Sequence, residues 1–218
     1  MTDIVTYLQR QQFVDGLMGY LDIRQWAFRK IQTHPVGSNL IDLKMYHCLY
    51  FTNLFGAVEI VQDYLSIPAE KNAFEDHLQQ GFPNPGDYPY ARELRNSIVH
   101  RGLDPTMQGV QRDNLVFALC PPLVFKRNSG EGYVCSTSLL VDLAAACNKA
   151  SNMAILKVIE REGLLDAASH ILEQEPIFET FGEESHIPDW AEDMAEDAFA
   201  TMVFEGVAIE SKRPVFPV

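Results

Sequence analysis

The sequence predicts a mainly α-helical protein: an antiparallel helical bundle with one small β-hairpin inserted. Three observations carry that expectation. Apolar residues recur at spacings of three and four along most of the chain up to Arg161, the mark of amphipathic helices. Breaks containing Pro and Gly divide those runs into separate helices. Only Leu115 to Phe125 has the Val, Leu and Phe content of a strand.

The first helix is expected from about Asp3 to Thr33, with Val14, Leu17, Leu21 and Phe28 on one face. His34-Pro35-Val36-Gly37 ends it, since neither Pro nor Gly favours helix continuation. A second helix is expected from about Asn39 to Leu65. Its stripe is Leu43, His47, Tyr50, Leu54, Val58, Val61 and Leu65, with His47 expected as a packed histidine making one hydrogen bond. Two long helices joined by a short turn form an antiparallel pair. Ser66-Ile67-Pro68 opens a shorter helix through about Gln80, and the Gly- and Pro-rich run 81–86 is a loop. Asp87 is placed to cap the next helix, with Pro89 in its first turn and Gly102 at its end.

The β-like stretch then bends at Pro121-Pro122, turns through Arg127 to Gly132 and returns at Tyr133-Val134-Cys135. One hairpin over about 115–136 is therefore expected. Ser136-Thr137-Ser138 reads as the cap of a helix running to about Arg161, with Leu139, Leu143, Ala146, Ala150 and Met153 along one face. A short helix from about Leu164 to Gln174 and a pattern of Trp190, Met194, Ala198 and Met202 follow.

With 218 residues, 47% of them hydrophobic, the chain can bury a core and suits one domain with an appendage. It contains no apolar run of about 18 or more residues and no basic-then-apolar leader at Met1-Thr2-Asp3-Ile4, so a cytoplasmic protein without a membrane span is expected. Cys48, Cys120, Cys135 and Cys147 lie scattered, which predicts buried thiols rather than disulfides or a zinc site. The net charge of −13 is unevenly spread: residues 1–172 hold 18 acids and 15 bases, and residues 173–218 hold 12 acids and two bases. The body, 1–172, is thus nearly neutral and free to carry a local basic site, whereas 173–218 is an acidic extension.

The chemistry-bearing segment is Glu93-Leu94-Arg95-Asn96-Ser97-Ile98-Val99-His100-Arg101-Gly102. On a helix, Arg92, Asn96 and His100 form one polar stripe with Arg95 beside it, while Leu94 and Ile98 face the core. Guanidinium groups there can grip phosphate oxygens in a fork, and a histidine near neutrality can pass protons. RNA brings its own nucleophile, the 2′-hydroxyl, so a base, an acid and positive charge suffice to cut it without a metal. Arg29 and His34 repeat the same spacing, but Lys30 follows that arginine and Pro35 follows that histidine at a broken helix end.

The segment resembles the signature of the HEPN superfamily: an arginine, four to six residues, then a histidine, often with a polar residue directly after the arginine. Here the gap is four and the follower is Asn96. The resemblance implies a helical bundle, frequent homodimers and, in many members, a metal-independent endoribonuclease in toxin–antitoxin or antiviral systems. It implies no cofactor, RNA as substrate, and an antitoxin or other protein as a further partner. Arg95, His100 and Asn96 would be the catalytic residues, with Arg92 and Arg101 binding substrate. HEPN partners of small nucleotidyltransferases usually carry Tyr two residues after the histidine; Gly102 stands there, so control through that Tyr is not implied. Two plainer readings stay open. Arg95 and Asn96 can pair with Glu93 or Asp87 while His100 opposes the helix dipole, or a HEPN-like module can bind RNA or protein without chemistry. In those cases Arg95 and His100 would be paired off or apart, whereas catalysis needs them exposed together in a cleft.

Overall fold

The apolar stripes become five helices, seen in a computed structural model that describes residues 2–127 and 129–164. They are α1 (Thr2–Gln32), α2 (Leu40–Tyr64), α3 (Pro68–Gln80), α4 (Asp87–Arg101) and α5 (Leu140–Arg161). The architecture is mainly helical, and each helix expected up to Arg161 is present within a few residues of its expected bounds. The acidic extension and its helical patterns lie outside the described residues.

α1 and α2 run antiparallel, because ring contacts join opposite ends of the pair. Phe13, early in α1, stacks on Tyr64 at the end of α2 with 4.1 Å between centroids. Trp26, late in α1, meets Tyr46 near the start of α2 edge-on at 5.3 Å. The expected stripe of α2 is buried throughout, and α5 closes the core with Leu140, Leu143, Cys147, Ala150, Ile155 and Val158. The α5 face is turned from the one expected. Met153 is half exposed, and Leu140, Ala144 and Ala154 take the inward positions. Gly81, just past α3, lies so near α5 that a Cβ there would come within 2.7 Å of the Ala150 backbone.

Three local expectations are corrected. The chain between α4 and α5 makes two hairpins, not one. β1 (Gly109–Arg112) pairs with β2 (Leu115–Ala118), and β3 (Val124–Phe125) with β4 (Gly132–Tyr133). The first turns on Asp113-Asn114, both at positive φ (49° and 62°), the mirror-image turn whose twist suits a two-residue hairpin. Asp87 is not the cap of α4, which starts from Gly86 without a side-chain cap. It is instead a buried carboxylate that accepts hydrogen bonds from the Ser136 amide (2.8 Å) and hydroxyl. With Ser136 so engaged, α5 also starts without a side-chain cap bond, from Leu139. Thr137 Oγ1 accepts from the Leu139 amide at 3.3 Å. The end of α4 is as expected: Gly102 takes a left-handed φ of 67° and its amide reaches the Ser97 carbonyl.

The polar part of the core departs from expectation as well. His47 is fully buried and neither ring nitrogen has a partner, where one hydrogen bond was expected. Burial, then the nearby His34, lowers its pKa to about 3, so the ring is neutral. Arg24 is also buried, donating to Ser151 Oγ at 2.8 Å and to Asn152 Oδ1. Of the four thiols only Cys147 is fully buried; Cys48, Cys120 and Cys135 are half-buried, and all four are free.

Candidate functional site

α4 offers its outward arc to solvent between α2 on one side and the second hairpin on the other. Tyr90, Ala91, Leu94 and Ile98 fix that orientation by facing the core. An ideal helix then sets Arg95 and His100 about 140° apart, at the two edges of the arc, with Arg92, Asn96 and Val99 between them. Each edge meets a different neighbour.

On the α2 edge, Arg95 pairs with Glu59 and lies over the Phe55 ring, its guanidinium carbon 5.5 Å from the centroid. Its side chain is 16% exposed, and its Nε is buried without a partner. The carboxylate is mostly in water, which limits the pair to roughly 0–1 kcal/mol. The ring contact and the burial of the stem hold the arginine more firmly than the ion pair does.

On the hairpin edge, His100 is exposed and lines a cavity of about 290 Å³ with Glu93, Asn96, Arg101, Lys126 and Arg127. A second cavity of about 340 Å³ shares Glu93, Asn96 and Lys126 with it and continues past Arg92 to Glu75 and Tyr88. Together they make a shallow groove along α4. Arg101 braces one wall by donating to the Phe125 carbonyl and the Ser97 hydroxyl, with a Glu93 carboxylate oxygen 3.6 Å away. Asn96 donates to Glu93 Oε1 at 3.2 Å, and Arg92 lies 3.7 Å from a Glu75 oxygen. Burial first, and then Glu75 beside it, raise the pKa of the Tyr88 hydroxyl, which stays protonated.

The structure thus brings His100, Asn96, Arg101 and Arg92 to one groove and leaves Arg95 on the other edge, against Glu59. Among the described residues, neither of these two cavities includes Arg95. The partner of Arg95 is neither Glu93 nor Asp87, whereas Asn96 does pair with Glu93. Sequence reasoning missed Lys126, Arg127, Glu59 and Glu75 as neighbours of the motif. The adjacent cations Lys126-Arg127, opening a turn, were the available signal; Glu59 and Glu75 gave none, because only helix packing brings them near. Among the described residues no group of three or more His, Cys, Asp or Glu is placed to hold a metal ion. Among them, too, no helix is long and apolar enough to cross a membrane.

Set against known proteins, the chain matches no family model, and no curated protein or solved structure matches it.

Proposed function

We propose that the chain is a HEPN-like module that binds RNA phosphates along the α4 groove, and that it cleaves RNA without a metal once a second copy completes the site. The observation that supports this most is the surroundings of His100. A solvent-facing imidazole stands in one cavity with Arg101, Lys126 and Arg127, a proton-transfer group beside three cations. The 2′-hydroxyl of RNA would be the nucleophile, leaving a 2′,3′-cyclic phosphate. His100 would carry the proton, and Asn96 would orient the phosphate or the ring. Arg95 of one copy would reach the transition state at His100 of the other, exchanging Glu59 for phosphate. Val99, 47% exposed on the same arc, supplies an apolar contact for such a homodimer. Toxin–antitoxin or antiviral systems, with an antitoxin as partner, are the settings the family resemblance suggests.

A second reading, RNA or protein binding without chemistry, is favoured by the pairing of Arg95 with Glu59 away from the groove. One experiment separates the two. Wild type and His100→Ala are incubated with mixed cellular RNA in chelator, and binding is followed across a salt series. Catalysis predicts a fall of about 10²- to 10⁴-fold in cleavage for His100→Ala with RNA still bound. RNA bound but left uncut by wild type at concentrations where it is dimeric leaves the binding module. An RNA affinity that does not fall with salt removes RNA from both readings and leaves only protein binding.

A further inference from the structure

Two cysteines flank the second hairpin and line one cavity, apart from the chemistry of the α4 motif. Cys120 follows β2, and Cys135 lies just after β4. Leu119 and Leu139 form an antiparallel bridge, and the Cys120 amide donates to the Ser138 carbonyl at 2.8 Å, which lays the two stretches side by side. The two thiols interact electrostatically, each shifting the other's pKa. Both are half-buried, and both line a cavity of about 290 Å³ with Pro121, Pro122, Ser136 and Thr137.

The backbone carrying each thiol is anchored to α4. The Tyr90 hydroxyl donates to the Pro121 carbonyl at 2.7 Å, next to Cys120, and buried Asp87 holds the Ser136 amide, next to Cys135. The two cysteines are therefore held on the walls of one cavity by backbone contacts on both sides, and each is partly open to solvent. Cys120 is the largest influence lowering the Cys135 thiol from its ordinary value, and Cys135 in turn is the largest influence raising Cys120. The other two cysteines differ: Cys147 is in the core, and Cys48 sits near Lys44 and Asp104.

We propose that Cys120 and Cys135 form a thiol–disulfide site that reacts with small disulfides, closing the chain between them into a ring. Cys135 is the attacking thiolate. It displaces one thiolate from a low-molecular-weight disulfide, such as oxidised glutathione, and keeps the other half as a mixed disulfide. Cys120 then loses its proton and attacks the Cys135 sulfur, releasing the second glutathione thiol. Two electrons pass from the protein thiols to glutathione: one protein disulfide forms, and one glutathione disulfide becomes two thiols. The ring so closed contains β3, β4 and the turn that carries Lys126 and Arg127. The thiol chemistry stands whatever that groove binds.

The test uses the reduced full-length chain, incubated with oxidised glutathione, then unfolded, alkylated and mapped by peptide mass spectrometry. Two of the four cysteines should be protected from alkylation, with the Cys120 and Cys135 peptides linked within one chain. In Cys120→Ala, glutathione should remain on Cys135 with no internal bond. Four alkylated thiols, a link through Cys48 or Cys147, or a link between chains would overturn the proposal. So would stable glutathione on Cys135 of the wild-type chain, or an unreacted Cys135 in Cys120→Ala.

Discussion

His34 and His100 each stand five residues after an arginine, at the C-terminal side of α1 and α4 respectively. Their surroundings are opposite. His34 is buried with its Nε2 unpartnered, its ring 6.3 Å from Tyr46, and its carbonyl accepts the Val116 amide at 3.0 Å from the first hairpin. His100 faces solvent in a groove with Lys126 and Arg127. The five-residue spacing is the same in both, so it cannot decide between packing and chemistry. What decides is the neighbour that covers each helix end. The first hairpin and α2 close over His34, and the second hairpin leaves His100 open beside its own cations. His47 extends the comparison, being an imidazole wholly inside the core.

Acid should separate the buried from the open histidines most strongly. His47 is held down to about 3, so the folded chain resists protonation there while the unfolded chain accepts it from about pH 6.5 downward. This contribution to stability is complete above about pH 6.5 and is lost as pH falls toward 3, at up to about 1.4 kcal/mol per pH unit. Urea unfolding of wild type and His47→Leu, compared from pH 7 to pH 4, should show the wild type losing more by about 3 kcal/mol. Parallel losses would mean that His47 is not held neutral.

A smaller effect separates the two matching motifs. His34→Ala should lower stability by about 2 kcal/mol, because it empties buried volume. It should leave RNA cleavage and affinity unchanged when measured well below its lowered Tm. Loss of cleavage in a folded His34→Ala would break the distinction. The smallest effect tests the edge occupied by Arg95. Glu59→Gln should shift stability by less than about 0.5 kcal/mol, since the carboxylate is mostly solvated. It should strengthen RNA binding at low salt by freeing the guanidinium, and that gain should fade as salt rises. Unchanged binding at low salt would assign Arg95 to packing on Phe55.

The expected mainly helical architecture emerged because each helix carries its own instructions. The stripes of α1 and α2, the Pro and Gly breaks at 35 and 37, and the left-handed Gly102 are local signals that local structure obeys. The second hairpin was half legible; the first was not, despite the turn residues Asp113-Asn114, because β1 is a short exposed strand, Gly-Val-Gln-Arg, without an apolar face. The polar stripe Arg92, Asn96 and His100 followed directly from helical period, and the structure keeps all three along one groove.

The helices, their breaks and the order of residues around α4 were written in the chain itself, since these depend on propensity and on a repeat of 3.6 residues per turn. Tertiary structure alone decided which neighbour each polar side chain meets. Glu59 reaches Arg95 across 36 positions, Asp87 leaves its helix end for Ser136 across 49, and Cys120 meets Cys135 because the backbone at 119 pairs with 139. None of these pairings has a local signature. Each arises when apolar faces pack, and packing fixes polar partners according to where the core places them rather than how far apart they lie in the chain.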